Sequence, residues 1–140
     1  MLKIKANIYK EMNEFFKVSP FFEQGCILGK TKDVVDRVFF DKGNEKEGEY
    51  EPNIELLNKV LENWFSEDIE FVGMVHSHPN GLLLMSDDDE QYMRELRNSN
   101  DMNKLYFLIV SYNENGDFLV KVHSLSNNDQ KILEEELVII

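Results

Sequence analysis

The stretch HSHPNGLLLMSDDDE, residues 76–90, sets two histidines one residue apart, then four apolar residues, then a serine and three consecutive aspartates. His76 and His78 fall at the end of the strand-like run IEFVGMVH. Side chains alternate across a strand, so both imidazoles project from one side while Ser77 faces the other. Two imidazoles converging at a strand end form a pair of metal ligands. Taken alone, the His-x-His pattern fits equally well two partly exposed histidines near a turn.

The aspartates carry the reading further. Ser86 has the chemistry of a helix N-cap, which puts Asp89 at the third helical position, where backbone N–H groups and the positive end of the helix dipole favour a carboxylate. A capping role is open to all three aspartates, but helical spacing separates them. Asp89 shares a stripe with Tyr92, Met93 and Leu96, whereas Asp87 lines up with Gln91 and Arg94 on a polar face and Asp88 lies between. Asp89 is thus expected to point at the sheet that carries the histidines. Two neutral imidazoles and one carboxylate make a three-ligand zinc site, with a fourth position for water, the pattern of a catalytic zinc. The single cysteine, Cys26, excludes a cysteine-based zinc cluster and an internal disulfide. His123, in a later strand, reads as an ordinary half-buried residue.

The elements that must position these groups follow from periodicity. Ile8, Met12, Phe15 and Phe16 predict a helix over residues 6–17, ending before Pro20. GCILGK and VVDRVFF read as strands, and the polar GNEKEGEYEP as a surface loop. Leu57, Val60, Leu61 and Trp64 predict a second helix over 53–65, with Pro52 near its start. IEFVGMVH is a strand, residues 87–98 a third helix, and KLYFLIVS and DFLVKVHS two strands turning across NENG. The closing LVII fits a last strand after a short charged segment. Interleaved helices and strands give an α/β fold, an α+β sandwich with a mixed sheet flanked by helices, as one domain over residues 1–140.

A formal net charge of −12, from 15 Lys and Arg against 27 Asp and Glu, argues against a nucleic-acid partner, which requires a basic face. No window reaches the roughly 18 apolar residues of a membrane span, and the N-terminus mixes charges into its apolar pattern, unlike a signal peptide. A soluble, cytoplasmic protein is expected.

The spacing His76-x-His78, seven residues beginning with Pro79, Ser86, two residues, Asp89 resembles the signature of the JAMM (MPN+ or JAB) zinc metalloprotease family, in its small stand-alone prokaryotic form. Upstream, Glu23 in FFEQGCILGK is similar to the glutamate of that family, with Gly25, Ile27 and Gly29 in corresponding places. The likeness extends over roughly residues 6–125. It implies a partly curled sheet of the MPN/cytidine-deaminase-like kind, and one Zn2+ per chain held by His76, His78 and Asp89 with water as fourth ligand. It further implies that Glu23 is the general base and that Ser86 donates a hydrogen bond to the oxyanion.

The implied activity is that of an isopeptidase or peptidase, hydrolysing the amide bond after the C-terminal glycine of a ubiquitin-like or sulfur-carrier protein. One alternative is release of a small amino acid such as cysteine from a sulfur carrier. Another is a non-catalytic MPN-type scaffold, disfavoured because all four site positions are filled. Relatives commonly carry prolines and small polar residues where this chain has Leu82-Leu83-Leu84-Met85. Four consecutive apolar residues are expected to split between packing beneath the site and forming a rim for a substrate tail or a homodimer contact, with Leu82 or Leu83 exposed. The 43–52 stretch is short for a segment that would cradle a second ubiquitin, so linkage selectivity is not expected.

Overall fold

The computed structural model describes residues 1–18, 22–43, 50–128 and 130–140. Eight strands form one mixed sheet: β1 (Leu2–Ile4), β2 (Gly25–Lys30), β3 (Val35–Asp41), β4 (Glu70–Ser77), β5 (Lys104–Tyr112), β6 (Phe118–Ser126), β7 (Leu133–Glu135) and β8 (Leu137–Ile139). Their order is β7-β6-β5-β4-β2-β3-β1-β8. Helix α1 (Ala6–Val18) follows β1, α2 (Ile54–Ser66) precedes β4, and α3 (Asp87–Ser99) joins β4 to β5. The β4-α3-β5 unit is a parallel crossover, while β2 pairs antiparallel with both β3 and β4.

Helices on both faces explain the near-continuous apolar runs of the central strands. Ile8, Met12 and Phe16, one turn apart on α1, bury against Cys26, Leu28, Val75, Leu108 and Val110. On the other face, Leu57 and Trp64 of α2 and Met93 of α3 bury against Ile27, Met74, Phe107 and Ile109. Alternation along β5 thus divides Leu105, Phe107 and Ile109 from Leu108 and Val110. No helix among the described residues is long and apolar enough to cross a membrane.

The anticipated helices and central strands form within one or two residues of their expected limits, and LVII supplies β8, which pairs parallel with β1. β1 itself was not anticipated, because three residues are too short for an alternation to register. The charged segment before LVII contains β7, an edge strand held to β6 by Val122, His123 and Ser124. Pro20, the expected stop of α1, and most of the 43–52 loop lie outside the described residues, so neither expectation on them meets an observation.

Helix α3 begins with a reciprocal cap. The Asp89 N–H donates to Ser86 Oγ at 3.1 Å, and the Ser86 N–H donates to Asp89 Oδ2 at 3.1 Å. At the far end, buried Arg97 donates to the Ser126 carbonyl at 2.6 Å, tying α3 to β6. The first turn is therefore fixed by a cap that an alanine abolishes and a glycine largely tolerates. In urea unfolding of the metal-free protein, Ser86→Ala should cost about 1 kcal/mol and Ser86→Gly only a few tenths; equal losses for the two would show that the cap does not set the helix start.

Candidate metal centre

The ladder β3-β2-β4 brings Asp41, Gly25 and His76 abreast, since Gly25 pairs with Asp41 on one side and with His76 on the other. Glu23 and Gln24 lie just before β2 and so arrive beside the end of β4. Ser77, facing away from the histidines as strand alternation requires, locks this approach. Its Oγ accepts the Gln24 N–H at 2.8 Å and donates to the Gln24 carbonyl at 3.2 Å.

His76 and His78 share one side, their ring centroids 5.0 Å apart and nearly perpendicular. Helix α3 delivers Asp89 between them: Oδ1 lies 3.0 Å from His76 Nδ1 and Oδ2 lies 3.0 Å from His78 Nε2. Glu23 approaches from the opposite side, its Oε2 3.0 Å from His76 Nε2 and accepting the Tyr50 N–H at 3.1 Å. Glu23, His76 and His78 place one donor atom each within 4.8 Å of one another. All four expected site residues that carry nitrogen or carboxylate donors therefore converge, and Ser86 joins them through its cap on Asp89.

Asp89 is 7% exposed, whereas Asp87 and Asp88 face solvent, so helical spacing picked out the aspartate that meets the histidines. Burial raises the cost of its charge, but hydrogen bonds from both imidazoles outweigh that and hold its carboxyl well below the usual carboxylate range. Burial likewise opposes a charge on His76, yet its hydrogen bonds to Asp89 and Glu23 prevail and raise it above the ordinary histidine value. Two imidazoles with two carboxylates form the N and O donor set that suits a divalent ion such as zinc. His76, His78 and a carboxylate would hold it.

Several residues that sequence reasoning did not single out support this cluster. Ser111, buried at the end of β5, donates to the His78 carbonyl at 2.6 Å and accepts the Gly81 N–H at 2.8 Å, which fixes the turn after His78. Tyr50 and Asp41 stand behind Glu23. Glu23 is part-buried, its side chain 15% exposed, although the neighbouring Phe22 is exposed; Phe21 lies outside the described residues. His123 is buried, more so than expected, on the face that carries His76, with Nδ1 3.3 Å from the Phe107 carbonyl. Burial pushes its pKa down, as fits a neutral structural imidazole.

The apolar stretch divides by alternation. Leu83 and Met85 pack against the core beneath α2 and α3, while Leu82 and Leu84 are 57% and 74% exposed. Of the two leucines expected as the exposed one, Leu82 takes that place and Leu83 does not. A cleft of about 350 Å3 adjoins His78, lined by Pro79, Asn80, Ser111 and Tyr112. A larger cleft of about 840 Å3 opens at the other end of β4, around Leu61, Phe65, Phe71 and Met102. It contains no histidine, and the donor cluster, not cleft size, locates the chemistry.

Neither a protein-family model nor a curated protein sequence matches the chain. Solved structures do. A solution structure from Desulfitobacterium hafniense is 18% identical with a TM-score of 0.78, covering 100% of this chain and 93% of that one. A JAB1/MPN domain protein from Archaeoglobus fulgidus is 23% identical with a TM-score of 0.60, covering 99% and 97%. A structure reported as JAMM, a metalloprotease-like zinc site in the proteasome and signalosome, is 23% identical with a TM-score of 0.59, covering 100% and 98%. The chain thus has the MPN/JAMM-like fold that its sequence resemblance implied, built around a candidate site of Glu23, His76 and His78 with Asp89 beside it.

Proposed function

We propose that the protein is a zinc-dependent isopeptidase or peptidase that hydrolyses the amide bond after the C-terminal glycine of a ubiquitin-like or sulfur-carrier protein. The observation that carries this reading is that the two carboxylates meet the imidazoles differently. Asp89 reaches both imidazoles, at 3.0 Å each, and its orientation is set by the α3 cap, which supports reading it as the third ligand with His76 and His78. Glu23 makes its close contact with His76 and is held by a backbone N–H, which supports reading it as the proton carrier.

Zinc bound there would supply Lewis acidity, bringing the ionisation of water toward a pKa of about 7 and polarising the scissile carbonyl. Glu23 accepts the proton of the attacking water and returns it to the departing amine. Ser86 Oγ accepts the Asp89 N–H in the cap and keeps its own proton free to donate to the developing oxyanion.

An extended peptide tail suits the sheet. β1 pairs with β3 only at Ile4 and Val35, so beyond Val35 the outer edge of β3 has no strand partner among the described residues, and it runs to Asp41 beside the site. Backbone pairing there would hold a tail with little demand on its side chains. Leu82 and Leu84, exposed on the loop between His78 and Ser86, serve in this reading as an apolar rim for the substrate.

Two experiments test the assignments. Asp89→Asn should lose most bound zinc, measured by elemental analysis, while Glu23→Gln keeps about one zinc per chain yet loses cleavage of a diglycine-ended fusion by at least about a hundredfold. Loss of zinc in the Glu23 variant with retention in the Asp89 variant would reverse the two roles. For the rim, Leu84→Asp should lower kcat/KM about tenfold without altering sedimentation, as expected for about 1.4 kcal/mol of lost apolar contact. An unchanged kcat/KM removes Leu84 from the substrate surface, and a change in sedimentation assigns it to a contact between copies.

A further inference from the structure

Asp41, the last residue of β3, is a buried carboxylate outside the metal cluster, and it is saturated by donors from three directions. Its Oδ1 accepts the Gly43 N–H at 2.9 Å, and its Oδ2 accepts the Tyr50 hydroxyl at 2.7 Å and the Asn53 N–H at 2.9 Å. Asn53 is itself the N-cap of α2. Leaving a carboxylate out of water is costly unless such hydrogen bonds offset it, so the arrangement holds its partners firmly.

Tyr50 spans from this anchor to the candidate metal centre. Its ring lies over Gly25 so closely that a Cβ there would meet Tyr50 Cε2 at 2.5 Å, which leaves room only for glycine. The ring centroid is 5.3 Å from that of His76. The Tyr50 N–H donates to the same Glu23 Oε2 that faces His76 Nε2. Glu23 Oε2 thereby lies between the His76 ring nitrogen and the Tyr50 N–H, the latter positioned by the far end of the tyrosine.

We propose that Asp41 and Tyr50 form a positioning clamp for the general base: Asp41 fixes the Tyr50 side chain, and Tyr50 fixes the Glu23 carboxylate through its backbone N–H. Tyr50 acts through Glu23 and is in this sense a positioning residue. This role rests on the proposed function insofar as Glu23 is the base, whereas the coupling between hydroxyl and amide stands on geometry alone. Burial, and then the hydrogen bond to Asp41, keep the Tyr50 phenol well above its ordinary pKa, so it remains a donor.

Tyr50→Phe deletes only the hydroxyl and keeps the ring over Gly25. In the metal-free protein, the amide of residue 50 should then exchange with solvent several-fold faster, because its bond to Glu23 loses the remote anchor. In the zinc-loaded protein, kcat on a diglycine-ended fusion should fall about tenfold for Tyr50→Phe and about a hundredfold for Tyr50→Ala, with KM and zinc content unchanged, since a small misplacement of the base is that costly.

Unchanged amide exchange in Tyr50→Phe overturns the clamp, whatever the activity. A rise in KM at constant kcat overturns it in favour of a substrate contact, and loss of zinc overturns it in favour of a role in the metal centre. If the wild-type protein cleaves no such fusion, the proposed function fails separately, and the exchange measurement still decides the coupling.

Discussion

The candidate site depends on one buried carboxylate. Asp89 sits at the third position of α3, where it completes the helix cap with Ser86 and places one oxygen against each of two imidazoles. A charge taken out of water is destabilising unless it is paired and hydrogen-bonded, and here the cap and both histidines supply that compensation. The same contacts fix where α3 starts, which way it faces, and how far the loop from His78 must reach. Leu83 and Met85 pack inward along that loop, so the apolar run serves as a tether as well as a surface.

Around Asp89, the sheet explains why the other groups arrive. The antiparallel neighbours of β2 place Gly25 between Asp41 and His76, and the residues just before β2 then fall at the end of β4. Ser77, on the opposite side of the strand from the histidines, binds both backbone groups of Gln24 and keeps Glu23 within reach. Ser111 does the same for the turn after His78. Three hydroxyl or carboxylate side chains that no metal would touch, those of Ser77, Ser111 and Asp41, thus hold the geometry of those that would. This is the usual relation between ligands and the groups that orient them.

The sequence made the local part of this legible and left the remote part dark. His76, His78, Ser86 and Asp89 lie within fourteen positions of one another, so strand and helix periods alone say which side chains can meet. Glu23 is 53 residues from His76, and its approach depends on a strand pairing that no periodicity encodes; only the family resemblance pointed to it. Tyr50 and Asp41 gave no signal, because a ring packed on a glycine and a carboxylate shared by three donors are facts of three-dimensional packing. β1 escaped notice for want of length. The leucines were half legible: a split was expected, but an extended loop with period two, Leu82 and Leu84 outward and Leu83 and Met85 inward, decides which way each one faces.

In the proposed mechanism the two carboxylates have different roles in one metal site. A crystal structure of the zinc-loaded protein, with the ion located by its anomalous scattering, tests this most directly. Zinc is expected at about 2.0–2.2 Å from one nitrogen each of His76 and His78 and from an Asp89 oxygen, with Glu23 outside that distance. Zinc coordinated by Glu23 in place of Asp89, or bound away from both histidines, would contradict it.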